Sequence, residues 1–265
     1  MNENGNNFDL KEEIRAYWSD RAATFDDSAS HKIEDQFGKP CWQAFFRQAM
    51  GLSVIDDMDG LKVLDLACGT GEISRILCSL GADVTGLDFS EEMHAIAKAK
   101  LENQTWKPLL CDAENLAPID DNSFDFVTTR HLAWTLTNPT AAYSEWFRVL
   151  KPGGRLLVND GDWTRPFSRT YRAKRWIANL LTKEAKRSAD DQANDASIRG
   201  RLPYSEGLTA SRLIEELTSR GLVHIINLDV TPLYYNGMRA WPVATRLRQS
   251  SENRFAIVFE KATSN

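Results

Sequence analysis

The stretch VLDLACGTG, which runs from Val63 to Gly71, decides the fold of this chain of 265 residues. A short apolar run at Lys62–Leu66 predicts a buried strand, a turn of small residues follows it, and residues 72–80 have a helical pattern. Small side chains let the backbone of such a turn approach a bound molecule closely. In open α/β sheets, ligands bind beyond the carboxyl ends of the strands, where the strand order reverses. The stretch therefore predicts a ligand site at the end of the first strand of a parallel sheet.

The following hundred residues alternate short apolar runs with helical patterns, which is typical of βαβ units. Ser90 precedes two acidic residues and predicts the N-terminal cap of a helix that runs to about Lys100. Pro108 lies inside the third strand, and because proline has no N–H to donate, that strand is expected at a sheet edge. Asn138 begins another helix, which ends at residues 151–154. The further predicted strands are 83–87, 105–110, 124–129, 155–159, 224–230 and 254–261.

Two parts of the chain depart from this alternation. Residues before 51 carry two amphipathic patterns, one around Tyr17 and one around Trp42, and we expect a helical cap over the carboxyl edge of the sheet. Residues 164–201 are polar and helical in character, which predicts an insertion or lid, and 207–220 predict another core helix. The predicted segments are a helical cap at 1–51, the core of the sheet at 52–163, a helical lid at 164–205 and the rest of the sheet at 206–265.

Composition narrows the class of protein. Hydrophobic residues make up 42% and charged residues 26%, as in ordinary globular proteins. The net charge of −5 argues against a nucleic-acid partner, which needs a basic surface, and by the same reasoning against membrane-surface binding. The four cysteines are widely spaced, so neither a disulfide framework nor a metal site is expected. The polar N-terminus resembles no secretory signal, so we expect a cytoplasmic protein.

An acidic residue stands at the end of each of the first three strands: Asp65, Asp88 and Asp112. A carboxylate after the second strand suits the two hydroxyls of a ribose, and one after the third can accept a hydrogen bond from an adenine amino group. A nicotinamide dinucleotide site is the alternative. It fits poorly, because the fingerprint G-x-G-x-x-G would require an earlier glycine at Ala67 and a third glycine at Ser74.

In combination these motifs resemble the class I S-adenosylmethionine-dependent methyltransferases, in particular the small-molecule branch that includes the ubiquinone-type enzymes. The resemblance is carried by VLDLACGTG, by GLDFS at residues 86–90 with Met93, by CDAE at 111–114, and by EWFRVLKPGG at 145–154. It spans about residues 61–160. It implies a doubly wound, Rossmann-like α/β sheet of seven strands in the order 3-2-1-4-5-7-6, with the last strand antiparallel and with helical cap segments. It also implies S-adenosylmethionine as cofactor and a small-molecule acceptor as partner.

The same resemblance assigns residues to the ligand. It implies that Asp65 and the turn after it lie near the methionine part, Asp88 on the ribose, and Phe89 and Met93 against the adenine. The candidate cofactor-binding residues are Tyr17, Asp65, Ala67, Cys68, Gly69, Gly71, Asp88, Phe89, Met93, Asp112, Ala113, Glu114 and Arg130.

Three residues are candidates for catalysis. His131 follows the fourth strand and is a candidate general base, with a buried, backbone-satisfied histidine as the alternative. Asp160 ends the fifth strand and is a candidate to bind or deprotonate a substrate. Tyr171 belongs to the predicted lid, where an aromatic ring can close over a sulfonium. The predicted function is methyl transfer to a small molecule. The alternatives are cyclisation of the ligand with release of methylthioadenosine, as in azetidine-2-carboxylate synthases, and a sensor that binds without turnover.

Overall fold

The computed structural model describes residues 3–165, 169–182 and 189–263. In this part of the chain seven strands form one sheet with the order β3-β2-β1-β4-β5-β7-β6, which confirms the predicted order. Strands β1 to β5 are parallel to one another, and β7 is antiparallel to both β5 and β6. The strands are β1 Lys62–Leu66, β2 Asp83–Asp88, β3 Trp106–Leu110, β4 Phe124–Arg130, β5 Leu150–Gly161, β6 Leu222–Leu228 and β7 Arg254–Lys261.

Three helices, α4, α5 and α8, begin at a residue whose side chain caps them by a hydrogen bond. The side chain of Ser90 accepts from the backbone N–H of Met93, and Asn138 and Thr209 cap their helices in the same way. The α-helices among the described residues are α1 Glu3–Arg21, α2 Gly38–Met50, α3 Glu72–Cys78, α4 Glu91–Lys100, α5 Pro139–Val149, α6 Arg169–Leu181, α7 Ala189–Arg199, α8 Ala210–Thr218 and α9 Val243–Gln249. None of them is both long and apolar enough to cross a membrane.

The hydrophobic core lies on both faces of the sheet. Successive residues of a strand point to opposite faces, so Val63 of β1 packs in one cluster and Leu64 in the other. One cluster contains the buried Trp146 of α5, and the other contains the buried Phe46 of α2. Pro108 lies in β3, at the sheet edge, as predicted.

The N-terminal segment divides into two parts with different positions. The hydroxyl of Ser19 on α1 lies 2.9 Å from that of Ser90, just after β2, so α1 covers the carboxyl edge of the sheet. Helix α2 instead packs on a sheet face, where the ring of Phe46 lies 6.3 Å from that of Phe126 in β4. Helix α1 therefore lies over the carboxyl edge as expected. Helix α2 does not, because Phe46 and its apolar neighbours are buried against a face of the sheet.

The predicted lid contains two described helices, and its residues 166–168 and 183–188 lie outside the described residues. Helix α6 packs along α9. Helix α7 contributes Asp195 and Arg199 to the wall of the cavity described below. The segment boundaries themselves stay predictions.

Some elements differ from the sequence patterns. Strand β5 begins at Leu150, directly after α5, and the β4–β5 pairing shifts register there between Phe124 and Phe126. Strand β6 begins two residues earlier than expected, at Leu222. Helix α9 was not predicted, because only Ala244 of its seven residues is buried and it has no apolar stripe.

Candidate functional site

A cavity of about 440 Å³ opens beyond the carboxyl ends of β1, β2 and β4. This volume lies within the range of about 300–1,000 Å³ that small-molecule sites occupy. Predicted ligand-binding residues on its wall are Tyr17, Asp65, Ala67, Cys68, Gly69, Asp88, Phe89, Met93 and Arg130. The fold thus gathers residues from α1 and from the ends of three strands around one space.

The turn after β1 bends sharply and lines the cavity. Ala67 and Gly69 have φ angles of +53° and +54°, in the left-handed region that favours glycine. The N–H of Gly69 donates to the Asp88 carboxylate over 2.8 Å, which ties the turn to the end of β2. Gly71 does not line the cavity. A Cβ there would lie 2.9 Å from a methyl group of Leu101, so Gly71 lets α3 and α4 pack closely and is not placed to contact a ligand.

Asp88 is held rigidly at the cavity rim. One carboxylate oxygen accepts from Gly69 N–H at 2.8 Å and the other from Ser90 N–H at 2.9 Å. Burial raises the pKa of Asp88, while these backbone hydrogen bonds oppose the rise. Each oxygen keeps a further lone pair, so the carboxylate can accept from two neighbouring hydroxyls at once.

Asp65 and Arg130 are an acidic and a basic residue that both line the cavity. Burial raises the pKa of Asp65 to about 7, although Ser74 donates to it over 2.7 Å and Arg130 is near enough to lower it. Arg130 donates to the carbonyl of His31 at 2.8 Å and lies over the ring of Trp42. Burial lowers the pKa of Arg130, and within the described residues no carboxylate forms an ion pair with it.

A second cavity of about 40 Å³ lies next to the first, beyond β3. Asp112, Ala113 and Glu114 line it, as the motif predicted. Lys11 of α1 spans its mouth, with Nζ 2.6 Å from Asp112 and 2.8 Å from Glu114. Glu114 also accepts from the backbone N–H of Thr137 at 2.5 Å, so it braces the loop before α5. The Asp112 carboxylate is therefore engaged in an ion pair with Lys11.

Aromatic rings close the larger cavity on its outer side. Trp18 lies edge-on to Tyr17 at 5.0 Å, and Phe25 stacks on His31 at 3.8 Å. Trp134 and Trp163 complete this wall. Such a wall excludes water, and the faces of its rings attract a cation.

His131 lines the cavity, but its surroundings oppose the predicted general-base role. Its Nε2 lies 2.8 Å from a guanidinium nitrogen of Arg254, and because arginine only donates, the imidazole lone pair is occupied. Burial, and then the positive charges of Arg254 and Arg130, lower the pKa of His131 well below its ordinary value. The imidazole is therefore neutral and its basic nitrogen is already engaged.

The other two predicted catalytic residues do not line the cavity. Asp160 is fully buried and accepts from Trp163 Nε1 at 3.1 Å and from Trp134 N–H at 3.3 Å, so it braces the aromatic wall. Burial raises its pKa to about 6. Tyr171 is buried and accepts a hydrogen bond from Arg175 on the same helix, α6. The prediction that these two residues contact substrate is not supported by their positions.

Several lining residues were missed from the sequence. His31 follows a short 3-10 helix at Ala22–Asp27, and no motif marks it. Gln249 ends α9, Glu252 lies in the turn that follows, and Arg254 begins β7. Because β7 is antiparallel, it begins at the edge where the parallel strands end, so the predicted strand order already placed Arg254 at this edge.

Comparison with known proteins agrees with this geometry. The family model described as "Methyltransferase domain" matches residues 64–158. The chain is 40% identical over 121 residues to a demethylmenaquinone methyltransferase of Lactococcus lactis, an overlap of 44% of this chain and 46% of that protein. It is 33% identical over 138 residues to a ubiquinone/menaquinone biosynthesis C-methyltransferase of Burkholderia vietnamiensis, with 48% and 56% covered. The chain therefore spans about half the length of the curated relatives it matches.

Solved structures share the fold of this chain. Phosphoethanolamine N-methyltransferase 2 of Haemonchus contortus, in complex with S-adenosylmethionine, superposes with a TM-score of 0.57 at 18% identity, covering 84% of this chain and 52% of that one. The [4+2]-cyclase SpnF superposes with a TM-score of 0.54 at 20% identity, covering 84% and 81%. At these identities the likeness shows the fold alone.

Proposed function

We propose that this protein transfers the methyl group of S-adenosylmethionine to a small-molecule acceptor. The observation that carries the proposal is the set of carboxylates Asp65, Asp88 and Asp112 at three successive strand ends, around a turn whose Gly69 lines the cavity. The described cysteines are all free, which supports a reducing compartment such as the cytoplasm.

The charges in the cavity fit the amino-acid end of the ligand. Asp65 and Arg130 both line the cavity and can carry opposite charges. The ligand's ammonium group would pair with Asp65, and its carboxylate would pair with Arg130, which has no carboxylate partner among the described residues. This arrangement compensates a buried cation that is otherwise costly.

The nucleoside end fits at the rim. Asp88 would accept from both ribose hydroxyls, while Phe89 and Met93 would pack on the adenine ring. The adenine amino group would donate to Asp112, and Lys11 must leave that carboxylate first, because the space there is only about 40 Å³. Ligand binding and a shift of α1 are therefore linked in this proposal.

When bound, the sulfonium supplies an activated methyl group. The aromatic wall of Tyr17, Trp18 and Phe25 excludes water and holds the acceptor in line with the departing sulfur. The acceptor's electron pair forms the new bond to carbon, the old bonding pair stays on sulfur, and any proton on the acceptor leaves to solvent. Because His131 has no free lone pair and Asp160 lies off the cavity, neither of them takes a proton from the acceptor in this proposal.

Binding and product analysis together test the proposal. Asp88→Ala removes a charge-assisted acceptor and is expected to weaken S-adenosylhomocysteine binding in calorimetry by about 1.5–3 kcal/mol. Asp83→Ala is the matched control, since Asp83 begins the same strand, forms an ion pair with Lys107 and does not line the cavity. Unchanged affinity in Asp88→Ala would contradict the assigned site.

The product identifies the reaction. The protein is incubated with S-adenosylmethionine and a small-molecule extract of cells, and S-adenosylhomocysteine is expected together with an equal amount of a methylated compound. Methylthioadenosine as the product would instead support cyclisation of the ligand. Tight binding with no product in any extract would support a sensor.

A further inference from the structure

Helix α6 presents an apolar stripe to water. Trp176, Ile177, Leu180 and Leu181 are 65%, 43%, 68% and 58% exposed, and nothing in the described part of the chain covers them. Residues spaced by three and four lie on one side of a helix, so these side chains and Ala173 form one continuous surface. We call this surface the α6 stripe. Scattered exposed apolar residues are ordinary, but a continuous stripe on one helix marks an interaction site.

The opposite side of α6 is attached to the protein. Ala178 is fully buried, Lys174 donates to the carbonyl of Ser250 at 3.3 Å, and Arg248 of α9 donates to the carbonyl of Ala178 at 3.3 Å. The helix is therefore held in place along α9 while its stripe points outward. None of residues 169–182 lines the ligand cavity, so a role for the stripe is separate from the proposed function.

The charge of this segment is opposite to that of the whole chain. Residues 169–182 contain Arg169, Arg172, Lys174 and Arg175 and no acidic residue, whereas the chain has a net charge of −5. Arg169 and Arg172 are exposed beside the stripe. Charges more than about 8–10 Å away are screened at ordinary salt, so a binding partner senses the local charge of α6.

We propose that α6 docks on the surface of an anionic lipid bilayer. A helix with an apolar side of tryptophan, isoleucine and leucine and with exposed basic residues beside it can lie in the plane of the membrane, with its apolar side among the lipid chains. Tryptophan is favoured at this depth because its ring is both apolar and polar. The basic residues favour a negatively charged partner, and the apolar stripe favours a partner with a hydrocarbon interior. The expectation that the chain avoids membrane surfaces rests on net charge alone, and this proposal rests on the local charge of α6.

Vesicle co-sedimentation tests the proposal on the full chain. We expect binding to vesicles of phosphatidylglycerol and phosphatidylcholine in equal parts, and much weaker binding to phosphatidylcholine alone. Raising the salt from about 0.05 M to about 0.5 M is expected to reduce the binding, since screening shortens the reach of the charges. Arg172→Gln is expected to lower the partition coefficient about fivefold. Trp176→Ser and Leu180→Ser are each expected to lower it at least about tenfold.

Matched controls separate the stripe from general stickiness and from misfolding. Val54→Ser and Ile55→Ser change side chains that are 82% and 85% exposed on a loop before β1, and binding is expected to stay as in the wild type. All variants are compared by thermal melting, because exposed positions should leave the fold intact. Equal binding to neutral and anionic vesicles, or full binding by Trp176→Ser, would overturn the proposal. A dimer in light scattering that Trp176→Ser dissociates would show that a second copy covers the stripe, and would overturn it too.

Discussion

Replacing Arg130 with glutamine separates ligand binding from protein stability. The guanidinium lies on the cavity wall, donates to the carbonyl of His31, and has no ion-pair partner among the described residues. A charge-assisted hydrogen bond to the ligand's carboxylate contributes about 1.5–3 kcal/mol. Its loss corresponds to a dissociation constant about 10- to 150-fold higher for S-adenosylmethionine and for S-adenosylhomocysteine.

The stability of the ligand-free protein is expected to respond differently. Burial lowers the pKa of Arg130, which means that the fold disfavours its charged form. Glutamine removes that cost and loses one hydrogen bond, so the free energy of unfolding should change by no more than about 1 kcal/mol. For a chain of this size that is a shift of about 2–4 °C in thermal melting. Weak binding with normal stability is therefore the expected signature.

Calorimetry with a second ligand identifies the group that Arg130 holds. The wild-type protein should bind decarboxylated S-adenosylmethionine about 10- to 150-fold more weakly than the intact ligand. Arg130→Gln should bind both equally, and Arg155→Gln, at the far end of β5 and paired with Glu260, should discriminate like the wild type. If Arg130→Gln still prefers the intact ligand, or if Arg21→Gln on the same cavity wall loses the preference, the carboxylate lies elsewhere and the reasoning is refuted.

Three further predictions concern single residues. Because the pKa of Asp65 is raised to about 7, ligand affinity measured by calorimetry should rise with pH up to about 7 as the carboxylate forms, and Asp65→Asn should abolish that rise. His131→Gln keeps an acceptor for Arg254, so its turnover should stay within about tenfold of the wild type; a loss of about 100-fold or more that follows a histidine titration would restore the general-base role. Gly71→Ala places a methyl group 2.9 Å from Leu101 at a φ of +83°, and chemical denaturation should show a loss of at least about 1–2 kcal/mol; unchanged stability would contradict the packing role.

The ends of the first strands were predictable from the sequence because their signals are local. An apolar run followed by small residues defined β1 at Lys62–Leu66 with its observed bounds, and Pro108 marked the edge strand. The carboxylates Asp65 and Asp88 line the cavity because the ends of neighbouring parallel strands meet at one edge. The strand order came from the resemblance carried by those motifs. A period of two in a strand and a cap before a helix depend on neighbouring residues alone.

The partners of each side chain were decided only by the tertiary structure. Arg254 is separated from His131 by more than a hundred residues, yet it occupies the imidazole nitrogen, because the antiparallel β7 begins at the edge of the sheet where β4 ends, with only β5 between them. Asp160, like Asp65, lies at the carboxyl end of a strand. It accepts hydrogen bonds from Trp134 and Trp163, however, and does not line the cavity. Whether a buried side chain accepts a proton, holds its neighbours in place or binds a ligand depends on the charges and hydrogen-bond donors that surround it in space. Those neighbours come from distant parts of the chain, so no local pattern determines them.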